Sequence, residues 1–184
     1  MLKTFRESLC AGILITIGGT VFLSCENKTA GAVLFSVALL CICYKGYYLF
    51  TGKIGYIVEQ HKKQDFLNLA VGLFGNLIAT FLLGMLLRTV LPNIGERAAE
   101  MCSAKLAQFP LYSFIRGFFC GILMYLAVSI YKEKNSVLGV LFCVPVFILC
   151  GFEHSIADMF YFGISGIFDT KIIFFMALIV AGNT

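Results

Sequence analysis

The sequence contains few charged residues, and this shortage limits the kind of protein that it can encode. Asp, Glu, Lys and Arg make up 13% of the 184 residues, whereas hydrophobic residues make up 60% and the mean hydropathy is +0.93. A soluble globular domain has about 25% charged residues. The composition therefore disfavours a soluble domain and predicts an integral membrane protein.

Signatures of several other functional classes are also missing. The net charge of +4 is spread over short loops without a basic cluster, which disfavours nucleic-acid binding. None of the eight cysteines forms a C-x-x-C pair, and most lie in apolar runs as small hydrophobic residues. Neither histidine lies in an H-E-x-x-H motif, and we interpret His61, in the basic stretch EQHKKQD, as a solvated loop residue. We therefore expect no metal, no cofactor and no enzymatic nucleophile–base pair.

Six apolar segments account for most of the chain. A helix needs about 20 apolar residues to cross roughly 30 Å of hydrocarbon. The predicted segments are 9–23, 30–50, 66–87, 111–131, 136–168 and 171–184, with a polar stretch between the third and the fourth. The last segment is too short to cross alone, so we expect a partial sixth helix or a truncated chain.

The second and fifth segments are predicted to be broken helices. The fifth contains Pro145, Gly151, Gly163 and Gly166, and the second runs on through GYYLFTGKIGYIVEQ. Long interrupted segments at corresponding places in two halves indicate a central binding site.

The two halves correspond in sequence. GYYLFT (46–51) matches GFEHSI (151–156), and LFGN (73–76) matches VAGN (180–183). Three spans followed by three spans give an inverted repeat, so we predict an all-α, single channel domain of residues 1–184 with repeats at about 1–90 and 105–184. The excess of Lys and Arg on one set of loops favours a cytoplasmic N-terminus.

The stretch GFEHSIADMF places three ionisable residues in apolar surroundings. Such residues inside a membrane indicate a functional site. His154 is the strongest candidate, because a neutral imidazole is tolerated there and its ordinary pKa of about 6.5 lies near working pH. On a helix, Asp158 would share a face with His154 and Glu153 would point elsewhere, so we interpret the two carboxylates as a structural polar network.

Other candidates lie near the two breaks. Lys105, in the polar stretch before the fourth span, would usually be an inert surface lysine, but a cation at a pore mouth concentrates anions. Thr51 can satisfy loose backbone or donate a hydrogen bond to a ligand. The remaining candidates are apolar side chains that either pack or form constrictions that gate by dewetting, namely Phe35, Leu39, Leu49, Phe50 and Phe147.

Several of these stretches together resemble one family over nearly the whole chain. CGFEHSIADMF resembles the fifth-helix signature of the formate/nitrite transporters, which include hydrosulfide channels, and LFTGKIG resembles their loop in the second helix. FGN and AGN, which contain Asn76 and Asn183, resemble their third- and sixth-helix motifs.

The resemblance implies a fold, an assembly and roles for the candidate residues. It implies an aquaporin-like protomer in the cell membrane, a homopentamer, and one pore for each protomer. Thr51 and His154 would meet at the pore centre, and Lys105 would draw in anions at a vestibule. Phe35 and Phe147 match an outer constriction, whereas the residues that match an inner one are Leu39, Leu49 and Phe50.

These observations suggest a channel for small weak-acid anions. An anion would gain a proton at or near His154 and cross the apolar rings as the neutral acid. Formate, nitrite, hydrosulfide and short carboxylates remain equally possible substrates. Two alternatives stay open: a channel for neutral solutes such as water or ammonia, and a membrane subunit that transports nothing.

Overall fold

The computed structural model describes residues 1–58 and 62–184, and within these ranges all regular secondary structure is helical, without a strand. His61 lies outside the described residues. The α-helices, in chain order, are α1 Leu2–Ser24, α2 Lys28–Lys45, α3 Lys63–Val90, α4 Pro92–Leu106, α5 Pro110–Lys134, α6 Leu138–Leu149, α7 Ser155–Ser165 and α8 Lys171–Gly182. Two short 3₁₀ helices, Phe50–Gly52 and Ile54–Val58, follow α2.

Four of the described helices, α1, α2, α3 and α5, are long and apolar enough to cross a membrane. The apolar helices α6 and α8 have 12 residues each, which corresponds to about 18 Å of helix. Large hydrophobic side chains on the outer surface are exposed, including Ile17, Val37, Phe74, Leu86 and Phe118. This apolar exterior suits lipid and confirms the predicted all-α membrane protein.

The second and fifth segments are broken in the same way, as predicted. The backbone turns to the left-handed region just beyond α2 at Gly46 (φ 66°) and just beyond α6 at Gly151 (φ 68°). The following N–H then donates back to the helix, from Tyr47 to the Ile42 carbonyl (3.0 Å) and from Phe152 to the Phe147 carbonyl (2.9 Å). This is the Schellman pattern, which favours glycine. Pro145 lies inside α6 and does not mark the break.

The chain beyond the first break is held by Asn76 of α3. Its side-chain oxygen accepts a hydrogen bond from the Phe50 N–H (2.8 Å). Its side-chain nitrogen donates to the carbonyls of Ser8 (2.8 Å) and Tyr48 (2.9 Å). One buried amide therefore ties the broken segment to α1 and α3.

Asn183, directly after α8, makes the equivalent set of bonds beyond the second break. It accepts from the Ser155 N–H (2.9 Å) and donates to the carbonyls of Gly117 (2.8 Å) and Glu153 (2.9 Å). The partners of Asn183 in the broken segment stand two residues apart, as do those of Asn76. The hydrogen bonds thus reproduce the predicted alignment of 46–51 with 151–156, and they support the inverted repeat.

The polar stretch between the third and fourth spans, to which the sequence assigned no helix, forms α4. Pro92 opens the helix at a position where its missing N–H is not needed. The buried face of α4 consists of Gly95, Ala98 and Cys102, which are spaced three and four residues apart and pack against α7. Lys105 lies three positions after Cys102 on the same face of α4, so its side chain points towards α7.

Candidate functional site

His154 lies at the N-cap of α7 rather than inside the helix. Its Nδ1 accepts a hydrogen bond from the Ala157 N–H (3.1 Å), and its Nε2 lies 2.9 Å from Thr51 Oγ1. Both side chains are buried, with His154 2% exposed and Thr51 fully enclosed. The structure therefore brings together the two residues that were expected to meet.

These contacts define the hydrogen positions on His154. A neutral imidazole carries one N–H and one acceptor nitrogen. Because Nδ1 accepts from a backbone N–H, the hydrogen lies on Nε2, which donates to Thr51 Oγ1. The Thr51 hydroxyl hydrogen is then free to donate elsewhere. A second proton on Nδ1 would break the cap, so this arrangement favours the neutral ring.

Aromatic side chains surround the imidazole. The Phe147 ring stacks on His154, with centroids 5.6 Å apart, and Phe35 meets Phe147 edge-on at 6.3 Å. Phe35 and Phe147 therefore form a buried pair beside His154. The residues expected at the inner constriction, Leu39, Leu49 and Phe50, are also buried. Leu49 occupies in the first half the position that His154 occupies in the second.

Two cavities approach the His154–Thr51 contact. A cavity of about 220 Å³, here named the Lys105 cavity, includes Lys105, Gln108, Arg116, Phe147, Glu153, His154 and Asp158 in its lining. A smaller cavity of about 60 Å³, here named the Lys53 cavity, includes Leu39, Leu49, Gly52, Lys53 and Lys132. One cavity reaches the contact from the His154 side, and the other reaches the segment that carries Thr51.

Lys105 is not an exposed surface lysine. Its ammonium forms ion pairs with Glu153 and with Asp158 Oδ1, the latter at 3.0 Å. The Lys105 side chain is 12% exposed and the two carboxylate side chains 2% each. Gln108 Nε2 donates to the second Glu153 oxygen at 3.3 Å. The expectation that Glu153 points away from Asp158 is wrong, because Glu153 precedes the helix and both carboxylates converge on Lys105.

Three features of the site were missing from the sequence-based prediction. Gln108 holds Glu153, Tyr161 lines the Lys105 cavity, and Arg116 lines the same cavity from α5. Arg116 lies within the predicted fourth span, so its charge inside an apolar segment was the available signal. Within the described ranges, no group of three His, Cys, Asp or Glu side chains is placed to hold a metal ion.

Of the two residues, the Thr51 O–H is the free hydrogen-bond donor, and it lies between two cavities in an apolar membrane protein. The Thr51 O–H can donate to an oxygen atom of a small acid or anion, while the His154 N–H donates to Thr51 Oγ1 and fixes its orientation. The ionisable residues of the Lys105 cavity give one approach to this site a polar, charged wall. This arrangement is suited to passage of a solute.

Comparison with known proteins identifies transporters and channels as relatives of this chain. The chain is 31% identical over 185 residues to the uncharacterized transporter YwcJ of Bacillus subtilis, covering 90% of this chain and 72% of the relative. It is 25% identical over 187 residues to the formate channel FocA of Escherichia coli K12, covering 86% of this chain and 65% of FocA, so it spans less than two thirds of that protein.

Solved structures give the same result. The fold resembles a pentameric formate channel with formate bound, with a TM-score of 0.80, 25% identity, and coverage of 99% of this chain and 91% of that one. The formate/nitrite transporter family matches residues 1–184, the whole chain. This protein therefore belongs to the formate/nitrite transporter family of multi-pass membrane proteins.

Proposed function

We propose that the chain forms a channel for small monovalent weak-acid anions, with formate as the first candidate substrate. The observation that carries the proposal is the contact between Thr51 and His154, where two broken helices meet between two cavities. Formate comes first because the relative FocA and the similar solved channel both carry its name. Nitrite and hydrosulfide are the other candidates within the family.

In the first step, an anion reaches the Lys105 cavity and contacts the lysine ammonium at short range. The rings of Phe147 and Phe35 then lie between the anion and the other side of the His154–Thr51 contact. A bare anion has a large desolvation cost in apolar surroundings, whereas the neutral acid has a much smaller one. Crossing is therefore favoured for the protonated species.

In the second step, the anion takes a proton near His154 while it is still in the Lys105 cavity, before it crosses Phe35 and Phe147. The proton comes from the entrance solution as a hydronium ion, which gives it to the anion and becomes water, so the neutral imidazole keeps its Nε2 hydrogen and its cap to Ala157. The free Thr51 O–H then donates a hydrogen bond to an oxygen atom of the acid, and the His154 N–H donates to the acid in exchange for its bond to Thr51. The net movement is one anion with one proton, so uptake increases as the pH on the entrance side falls.

In the third step, the neutral acid passes a second apolar ring and loses its proton. We assign Phe35 and Phe147 to the constriction on the Lys105 side of the contact. The constriction on the other side is assigned to Leu39, Leu49 and Phe50, two of which line the Lys53 cavity. Rings of this kind restrict hydrated ions by dewetting.

We further propose the assembly and placement of the channel. Residues 1–184 form a single channel domain with repeats at about 1–90 and 105–184, in the cell membrane with a cytoplasmic N-terminus. The likeness to a pentameric solved channel supports a homopentamer with one pore in each protomer. The mass of the protein in detergent, measured by light scattering with the detergent contribution subtracted, would identify five copies or a different number.

The function is tested by uptake into liposomes that contain the purified protein. Formate, nitrite, hydrosulfide and acetate are measured separately at two pH values, beside osmotic water flux and empty liposomes. We expect uptake of at least one of these anions, faster at the lower pH. Water flux without anion uptake would support a neutral-solute channel instead, and no flux of any solute would support a structural subunit.

A further inference from the structure

We propose that Arg116, rather than Lys105, supplies the long-range attraction that draws small anions into the Lys105 cavity. This inference rests on the proposed function, because it concerns how the anion reaches the site. It follows from the way in which the charges in this cavity are balanced.

The charge of Lys105 is offset within the cavity itself. Its ammonium contacts two carboxylates, those of Glu153 and Asp158. We take all three groups as ionised in this proposal, so that their formal charges leave one negative charge. Among the described residues, the buried Asp158 Oδ2 has no hydrogen-bond donor, and the ammonium of Lys105 is the cation that contacts this carboxylate through Oδ1. At a distance, this cluster does not attract an anion.

The guanidinium of Arg116 is a second positive charge in the lining of the same cavity. Its side chain is exposed and lines the cavity from α5, and its backbone carbonyl accepts the Glu153 N–H (3.3 Å), which places it beside the cluster. In the described part of the chain, no carboxylate forms an ion pair with its guanidinium. The guanidinium is always charged, weakly hydrated, and shaped to bind two oxygen atoms. It therefore suits formate and nitrite, which have two oxygen atoms.

The remaining ionisable groups around the cluster do not change this balance. His154 is engaged through both ring nitrogens, and the other neighbours, Tyr161, Cys102 and Cys120, are neutral near pH 7. The cavity is therefore close to electroneutral with Arg116 present. It becomes negative when Arg116 is removed and positive when Asp158 is removed, so the two substitutions are expected to act in opposite directions.

The first test compares initial formate uptake into liposomes at low ionic strength. We expect Arg116→Gln to lower the rate and Asp158→Asn to raise it, each roughly fivefold, as expected for one unit charge near the path in water. Both effects should disappear at about 1 M salt, where the Debye length is only about 3 Å. Arg116→Lys should retain most of the rate.

Arg97→Gln is the matched control, because Arg97 lies on α4 and donates to the Leu23 carbonyl outside the cavity lining. It should leave uptake unchanged. Effects of the same sign for Arg116→Gln and Asp158→Asn, or effects that do not depend on salt, would overturn the proposal.

A second measurement reads the local field without transport. Ala104 is exposed and lines the cavity, so Ala104→Cys in a Cys150→Ser background reports the potential through its reaction with anionic and cationic methanethiosulfonate reagents. Arg116→Gln should lower the ratio of anionic to cationic rates, and Asp158→Asn should raise it. Unchanged ratios would overturn the role of Arg116 even in a protein that conducts formate. If the protein conducts no anion, the proposed function fails. The ratio of anionic to cationic modification rates then still tests whether Arg116 sets the potential of the cavity.

Discussion

Thr51 Oγ1 and His154 Nε2 lie 2.9 Å apart although 103 positions separate them in the chain. Each residue follows the break of a different helix, and each broken segment is held by one buried asparagine. The contact therefore depends on both halves of the protein at once. Changes at the breaks, at the asparagines and at the contact itself should have separable effects.

Replacing Thr51 by Val should impair both the site and the fold. Valine has nearly the same shape but no hydroxyl, so the buried His154 Nε2–H loses its acceptor. We expect a loss of about 1–3 kcal/mol in the free energy of unfolding and slower formate uptake. Unfolding in detergent and liposome uptake measure the two effects. Thr51→Ser keeps the hydroxyl and should stay near wild type; equal behaviour of the two variants would contradict the role of the hydroxyl.

Replacing Asn183 by Ala should destabilise the second half of the protein. The substitution leaves the Ser155 N–H and the carbonyls of Gly117 and Glu153 without a partner in a buried site. Each unsatisfied buried group costs about 1–3 kcal/mol, so we expect a loss of at least roughly 3 kcal/mol in unfolding free energy. The same reasoning applies to Asn76→Ala.

Asn68→Ala is the control for this comparison. Asn68 accepts hydrogen bonds from Gln64 and Thr4 in a half-buried position near the start of α3. Its loss should cost less than that of either buried asparagine. A similar cost for all three would show that Asn76 and Asn183 do not hold the broken segments.

Replacing Gly151 by Ala should test backbone strain alone. The residue has a φ of +68°, and no atom lies within 4 Å of the position that a Cβ would occupy. We therefore expect a cost of about 1–2 kcal/mol from the left-handed backbone, measured as a lower melting temperature. Gly163→Ala should cost more, because its Cβ would lie 2.5 Å from the Phe81 carbonyl oxygen. The reverse order would contradict this reading of the breaks.

Replacing Lys105 by Met should destabilise the fold, because it leaves two buried carboxylates side by side. Removing one partner of a buried ion pair costs about 3–5 kcal/mol. Adding Glu153→Gln and Asp158→Asn to the same protein should restore most of the melting temperature. If the single variant is as stable as wild type, Lys105 does not offset these carboxylates.

The breaks and their pairing could be predicted because they depend on local sequence. Glycine at the left-handed position, and apolar runs on either side, identify 46–51 and 151–156 without knowledge of the fold. The two asparagines could be recognised only as a repeated motif, since their hydrogen bonds join segments far apart in the chain.

The surroundings of Lys105 could not be predicted in the same way. The helix α4 buries only the small residues Gly95, Ala98 and Cys102 and has little hydrophobicity overall, so a search for apolar spans does not detect it. The two carboxylates reach Lys105 only after α7 packs against α4. No pattern in the sequence distinguishes Lys105, whose charge is offset by two carboxylates, from Arg116 in the lining of the same cavity.

The most direct test of the account is formate uptake by His154→Phe in liposomes, measured at two pH values beside wild type. Phenylalanine keeps an aromatic ring at this position but has no N–H. Its melting temperature is recorded first, because the loss of the N-cap costs about 1 kcal/mol. For the folded variant, we predict uptake about tenfold slower at both pH values, as expected for one lost hydrogen bond of about 1.4 kcal/mol, with the increase at low pH retained because the proton comes from the entrance solution. Uptake at the wild-type rate at both pH values would contradict the central role of His154.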